Sequence, residues 1–408
     1  MSKIFLRYFC CFFLMLLLFS FGMFFIYCIP NKSLEPQYSK SIDQLNKEET
    51  YPVYLFNSDA AIMDNFMDKE MVKTCRISDA YEDRITAAFD NNGYPRYWNG
   101  YLLTLRPIMT QFSYQQIRYI SMFLLLITFC FCFSGLHKTL NAVTALGFAV
   151  SMTACFLVFI GESLQYFSVF MIMFATLLTI LYLPFFQIPE NSALFFFAVG
   201  MITNFFDMLT APLLTLGIPL IVLICLFQKR KDFISIAAGF QQIIIHSLTW
   251  GLGYALCWTA KWAIASIILR VNVFEDALKT AKFRVGGSES VPLNRGLMYR
   301  LNFETYFFAK GHKPAIFLLV LFVILIILLI RNHKKNWMTY MLPVITIGVF
   351  PYVWFFVFSN HSQLHYFYTY RIQAITLFAI FSSISNAFDI KKIIIRSKDE
   401  NHYEKHSK

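Results

Sequence analysis

Hydrophobic runs of about 20 residues, the length an α-helix needs to cross a bilayer core, recur along this chain between short polar turns. The first, 9–29, follows Lys3 and Arg7 and is not followed by a small-residue cleavage site, so it predicts a retained signal anchor with a cytoplasmic N-terminus. Residues 30–116 then form a first long outer segment, with helical patterning at 56–72 and 77–89 and a turn cluster at 90–93. Further runs lie at 117–134, 142–160, 165–186, 193–206, 209–227 and 233–257. A second outer segment, 258–312, opens with 258–269, apolar but carrying Lys261, expected as a separate helix at the membrane interface. Runs at 314–330, 337–358 and 366–388 precede a hydrophilic tail, 389–408.

The predicted fold is therefore an all-α polytopic membrane protein with about ten transmembrane helices, two long outer segments and both termini cytoplasmic. Its divisions are 1–29, the N-terminus and first span; 30–116, the first outer segment; 117–257, spans; 258–312, the second outer segment; 313–388, spans; and 389–408, the cytoplasmic tail. Composition agrees, since 57% of the residues are hydrophobic and only 14% charged. A net charge of +11 would suggest nucleic acid in a soluble domain. Here the basic residues cluster at Lys229 to Lys231, Arg331 to Lys335 and Lys391 to Arg396, where they set topology, and no nucleic-acid partner is expected. Most of the nine cysteines lie inside apolar runs; a Cys28 to Cys75 disulfide is compatible with the spacing but not required by it.

The candidate chemistry gathers on the outer side. Asp59, Asp64 and Asp68 lie in the first outer segment, and Asp64 and Asp68, four apart, would share one helical face about 6 Å apart. Such a pair calls for a compensating substrate, metal or raised pKa; the plainer explanation is a solvated face, with Asp59 a first-turn acid after Ser58 as N-cap. Arg96 stands in an aromatic stretch, YPRYWNGY, suited to the headgroup level. Glu162, Asp207, Lys261, His361, His365 and Arg371 fall at outer ends of spans, where an ionisable group is expensive and suggests function. Taken singly, Lys261 and Arg371 could merely snorkel, and Glu162 and Asp207 could merely end helices. His361 and His365 have the spacing of a metal pair but lack the accompanying glutamate, so no metal site is assigned. No Walker motif, dinucleotide fingerprint or nucleophile elbow occurs, which leaves soluble-nucleotide chemistry without support.

DNFMD at 64–68, YPRYWNGYLLTLRPIMTQFSYQQIRYI at 94–120, SLQYFSVF at 163–170, NFFDMLTAPLLTLGIPL at 204–220, WGLGYALCWTAKWAIASII at 250–268 and NHSQLHYFYTYR at 360–371 carry a resemblance. Together they resemble the GT-C superfamily of polyprenyl-phosphate-dependent membrane glycosyltransferases, and more narrowly a group of bacterial multi-pass membrane proteins within it. The resemblance implies transfer of a sugar from a lipid-linked donor to a cell-surface glycan or lipid acceptor on the outer face, with an Asp as base. It requires no cofactor, and a divalent metal is compatible with it. The acid pair usual behind the first span is displaced here by a polar insert, 31–50, which leaves open which of Asp59, Asp64 and Asp68 is the base. Asp64 is the expected base, with Asp68 orienting the acceptor or sharing a divalent ion. Lys261 and Arg371 are the expected phosphate holders; Glu162, Asp207, His361, His365 and Arg96 complete the substrate-binding set. Two rivals are a transporter or flippase of lipid-linked saccharide, for which repeated halves and midplane charges are missing, and a non-catalytic partner in surface-polysaccharide assembly.

Overall fold

The computed structural model describes residues 3–54, 58–81, 83–232, 235–307, 334 and 336–388. The predicted span at 314–330 and the 389–408 tail lie outside them. Helix α1 (Lys3–Tyr27) leads through Pro30 into α2 (Asn31–Lys47), so the polar insert is largely one amphipathic helix that buries Leu34, Ser41 and Leu45. The single helix expected over 56–72 is broken. A 3₁₀ turn, Asp59–Ala61, is followed by an extended stretch in which Ile62 bridges to Val53, and α3 (Asn65–Cys75) starts only after it. The next expected helix is also shorter, α4 (Arg84–Asp90), because the Asn31 amide brackets both backbone groups of Ile77 at 2.8 and 3.1 Å and holds them outside a helix. It ends on Asn91 in the left-handed region, as the turn cluster predicts.

Beyond α5 (Leu102–Ile108) come α6 (Tyr114–Thr139), α7 (Ala142–Ala154), α8 (Leu157–Ile160), α9 (Leu164–Tyr182), α10 (Pro189–Phe206) and α11 (Leu214–Arg230). Then follow α12 (Ile236–Leu269), α13 (Val273–Gly286), the two-residue strand pair β1 (Gly287–Ser288) and β2 (Val291–Pro292), and α14 (Arg295–Tyr306). The described chain closes with Trp337–Ile347, Phe350–Val357, Ser359–Leu364, Tyr366–Thr369 and Ala374–Ala387.

Among the described residues five helices are long and apolar enough to cross a membrane: α1, α6, α9, α12 and Trp337–Val357. Other expected crossings are shorter or interrupted: α7 stops before Phe156, which takes φ 55°, and the last is preceded by a 3₁₀ turn, Tyr370–Gln373. The interfacial helix expected at 258–269 is the continuation of α12, whose 34 residues contain no proline to stop them. At 1.5 Å per residue that helix is about 51 Å long, well beyond a hydrocarbon core of about 30 Å. Only 22% of the most apolar window of α1 is buried, and its Phe13, Leu17 and Phe21 face outward, as Leu248 and Leu252 of α12 do. Such apolar faces suit lipid as their solvent, and this all-α chain has the build of a membrane protein. Where α10 and α12 cross, a Cβ at Gly200 or Gly253 would sit 2.1 Å from a carbonyl of the other helix, so the two backbones touch.

Polar contacts sort to the two ends of the bundle. At one end Arg7 bonds Asn191 (2.7 Å), Arg230 bonds Gln187 and Gln228 bonds the Thr339 carbonyl. At the other, α2 and α3 seat on the starts of α6 and α9. Arg118 of α6 pairs both guanidinium nitrogens with Glu48 at 3.0 Å and adds Asn65 and the Glu162 carbonyl. Arg106 donates to the carbonyls of Ile26, Ile29 and Cys75, tying α5 to the end of α1. Both Cys28 and Cys75 are free thiols.

Candidate functional site

The three acids of the first outer segment have three different environments. Asp64 is not on the face of α3 but at its N-cap, where Oδ1 accepts the Met67 N–H at 3.0 Å. It is 5% exposed, and burial pushes its carboxyl up to about 6, against the pull of that N–H and with the Asp68 charge adding to the rise. Its other oxygen has no hydrogen-bond partner among the described residues. Asp68, one turn into α3, is fully buried and saturated: it accepts from Tyr114 Oη (2.6 Å), Ser163 Oγ (3.1 Å), Leu164 N (3.0 Å) and Gln165 N (3.1 Å). A carboxylate on the first amides of α9 is a cap supplied from another helix. Asp59 opens the 3₁₀ turn capped by Ser58, beside the Tyr366 hydroxyl.

The expected phosphate holders are occupied elsewhere. Lys261 is fully buried, donates to the Phe89 carbonyl at 2.7 Å and lies over the rings of Phe89 and Trp98, so it joins α12 to the end of α4. Arg371 is fully buried and donates to the carbonyls of Cys155, Phe367 and Ala60, with its guanidinium 4.3 Å from the Tyr166 ring. Through Ala60 it holds the Asp59 turn, together with Tyr370 Oη on the same carbonyl. Glu162 belongs to the Arg118 network at 3.8 Å, and Arg96 pairs with Asp276 of α13 while its carbonyl takes the indole N–H groups of Trp258 and Trp262.

Asp207, His361 and His365 do come together, and with residues that the sequence did not single out. Asp207 is buried in the turn after α10, where it accepts the Thr210 N–H and burial pushes its carboxyl up to about 7. In that turn the Leu209 carbonyl lies 2.9 Å from His361 Nε2, and the His361 and His365 rings are 4.9 Å apart. Burial first, and then the Arg284 charge, pull His365 down to about 4, and His361 well below its usual value, so both rings are neutral at pH 7. Tyr368 stacks on His365 at 5.1 Å and meets Tyr166 at 6.1 Å; both tyrosines feel the Asp64 charge. Across from them Arg284, in the last turn of α13, lies 5.7 Å from the Tyr97 ring and within electrostatic reach of Tyr368, Tyr254 and both histidines.

Around this ring Gln165 Oε1, Tyr166 Oη, Asn204 Oδ1 and Arg284 Nη1 are buried and unpaired among the described residues. An unpaired buried polar atom costs about 1–3 kcal/mol, so a concentration of them marks a place shaped for a polar occupant. The chemistry on offer is a near-neutral carboxyl at Asp64, a guanidinium with an open donor at Arg284 and two neutral imidazoles. Among the described residues no group of three or more His, Cys, Asp and Glu is arranged to hold a metal ion. Tyr97, Tyr166 and Tyr368 lie inside the motifs quoted above and were findable there; Arg284, in the polar stretch FRVGGSES, carries no signal that separates it from a helix-ending cation. The chain matches no known family model, no curated protein and no solved structure.

Proposed function

We propose that this chain is a membrane glycosyltransferase that moves a sugar from a polyprenyl-phosphate donor to a hydroxyl of a glycan or lipid acceptor, at the outer end of the bundle where Asp64 lies. One observation carries the reading: a buried carboxyl, raised to about 6 and with one oxygen unpaired among the described residues, shares a polar cluster with an arginine that has an unpaired donor. In the proposed step the acceptor oxygen forms a bond to the anomeric carbon while the bond from that carbon to the phosphate oxygen breaks. The acceptor proton passes to Asp64, and polyprenyl phosphate leaves with its charge held by Arg284. A bidentate guanidinium fits a phosphate, and the neutral histidines can bond sugar hydroxyls without adding charge. A lipid-linked donor keeps its prenyl chain in hydrocarbon, which suits a site at the end of lipid-facing helices.

The test is transfer from a polyprenyl-phosphate-linked sugar by purified protein. Asp64→Asn is expected to lower the rate roughly a hundredfold or more, the lower range for loss of a general base, with no loss of thermal stability. Asp59→Asn, made beside it, should keep most of the rate. Transfer by Asp64→Asn at the wild-type rate overturns the mechanism and moves the transporter and assembly-partner readings ahead.

A further inference from the structure

Helix α12 ends abruptly and the chain folds back on it. Arg270 takes φ 55°, which stops the helix, and Asn272 caps α13 by accepting the Glu275 N–H. Two contacts fix the return: the Val273 N–H donates to Ser266 Oγ at 3.1 Å, and the Phe274 ring meets the Trp262 ring edge-on at 5.7 Å. Had α12 continued straight, residue 274 would stand about 18 Å beyond residue 262 along the axis. The far end of α13 is tied down as well, by Asn360 Nδ2 on the Phe283 carbonyl at 2.9 Å, just past the spanning helix Trp337–Val357. Between these ends Asp276 pairs with Arg96, and Arg284 lies against Tyr97 in the same aromatic stretch. Helix α13 therefore runs across this end of the bundle and not away from it.

The level at which it lies follows from α12. The exposed apolar residues of that helix run from Ile244 through Leu248, Leu252 and Leu256 to Ile267. At 1.5 Å per residue this is about 35 Å, close to a hydrocarbon core of about 30 Å, so the core ends at the last turns of α12, where α13 folds back. The sides of α13 are sorted to match. Phe274, Leu278, Ala281 and Val285, spaced by three, four and four residues in turn, make one line, in which Phe274, Leu278 and Val285 are 36%, 55% and 40% exposed. One residue earlier at each step, Val273, Ala277, Thr280 and Arg284 make the inward line, with Val273 and Ala277 buried. Glu275, Lys279 and Lys282 are exposed on the remaining side. Val271 in the turn and Ile267 on α12 are exposed too, so the apolar surface suited to lipid on α12 continues onto α13.

We propose that α13 is a membrane-docking helix, lying in the bilayer interface with Phe274, Leu278 and Val285 among phospholipid chains and Arg284 turned the other way, into the polar cluster. The occupant is phospholipid and not a second protein, because the apolar line extends a face that lipid already suits, and charged residues flank it as on interfacial helices. A phosphate carried on a lipid then reaches Arg284 without leaving the bilayer; that role rests on the transfer proposed above, and the docking does not. The test places the photocrosslinker p-benzoylphenylalanine, one position at a time, at Leu278, Val285, Lys279 and, as the lipid-facing reference, Leu252. The full chain is irradiated in nanodiscs of phosphatidylcholine with phosphatidylglycerol, and adducts are read by intact-protein mass spectrometry. The probe at Leu278 and at Val285 should gain the mass of one phospholipid, as at Leu252, with a yield about fivefold or more above that at Lys279 on the polar side. Equal yields at Leu278 and Lys279, no lipid adduct at Leu278, or a covalent dimer formed from Leu278 overturns the docking. If Leu278 takes lipid while transfer is indifferent to Arg284→Gln, the docking stands and the presentation of phosphate falls; if transfer needs Arg284 while Leu278 takes no lipid, the docking falls alone.

Discussion

Replacing Asp68 by asparagine should destabilise the protein even though the two side chains are nearly isosteric. Each carboxylate oxygen accepts one backbone N–H, Leu164 on one and Gln165 on the other, as well as one hydroxyl. An amide has one oxygen only, so in either orientation its NH₂ faces a backbone N–H in a fully buried place. A buried unpaired donor costs about 1–3 kcal/mol, and hydrogen bonds to a charged acceptor contribute about 1.5–3 kcal/mol each, so a loss of about 3 kcal/mol is expected. Scaling the per-residue unfolding entropy to this chain gives roughly 1 to 2 °C per kcal/mol, a fall in Tm of about 3 to 6 °C. Thermal unfolding of purified protein, followed by tryptophan fluorescence or circular dichroism, measures it. A variant that melts with wild type would refute the capping argument. If that variant also lost transfer, Asp68 would join Asp64 as a group acting on substrate.

Two further results follow from the same geometry. The carboxyl of Asp64, raised to about 6 by burial, must be ionised to act as base, so kcat/KM should fall as pH drops below about 6, approaching tenfold per pH unit, and the residual rate of Asp64→Asn should lack that limb. The stability linkage has the opposite sense: the folded state holds this proton more tightly than the unfolded chain, so stability falls as pH rises from about 4 to 6, by no more than about 3 kcal/mol, and unfolding of Asp64→Asn followed across that window should be flatter. Arg284→Gln should raise the KM for the lipid-phosphate donor about tenfold or more, whereas Lys261→Met, which removes one bond to the Phe89 carbonyl, should leave that KM unchanged; equal effects of the two would refute the assignment of Arg284 to phosphate.

Much of the helical architecture was legible from local signals. The apolar runs located the long helices, and Asn91, Pro30 and Ser58 ended or began elements where turn and cap chemistry places them. The errors came from long-range bonds. Helical patterning over 56–72 could not register that Val53 would pair with Ile62, nor patterning over 77–89 that Asn31 would take the backbone of Ile77. The four-residue spacing of Asp64 and Asp68 likewise pointed to a shared face. It did not reveal that α3 starts between them, so that one carboxylate caps its own helix and the other caps α9.

The cations show why the site itself was harder to read. A charge set in apolar sequence is expensive to bury, which is why Lys261 and Arg371 drew attention. The same expense compels the folded chain to satisfy such groups: Arg106, Arg371 and Lys261 all bond backbone carbonyls, and Arg118 bonds a carboxylate, an amide and a carbonyl. Once satisfied they hold helices in place and have little left for a substrate. Capacity remains where the chain is polar enough to need no internal partner, at the end of α13, and there Arg284 keeps a buried nitrogen unpaired among the described residues. In a membrane chain the costliest charge in the sequence is therefore the one most firmly used by the fold. The cheaper charge beside it is the better candidate for chemistry.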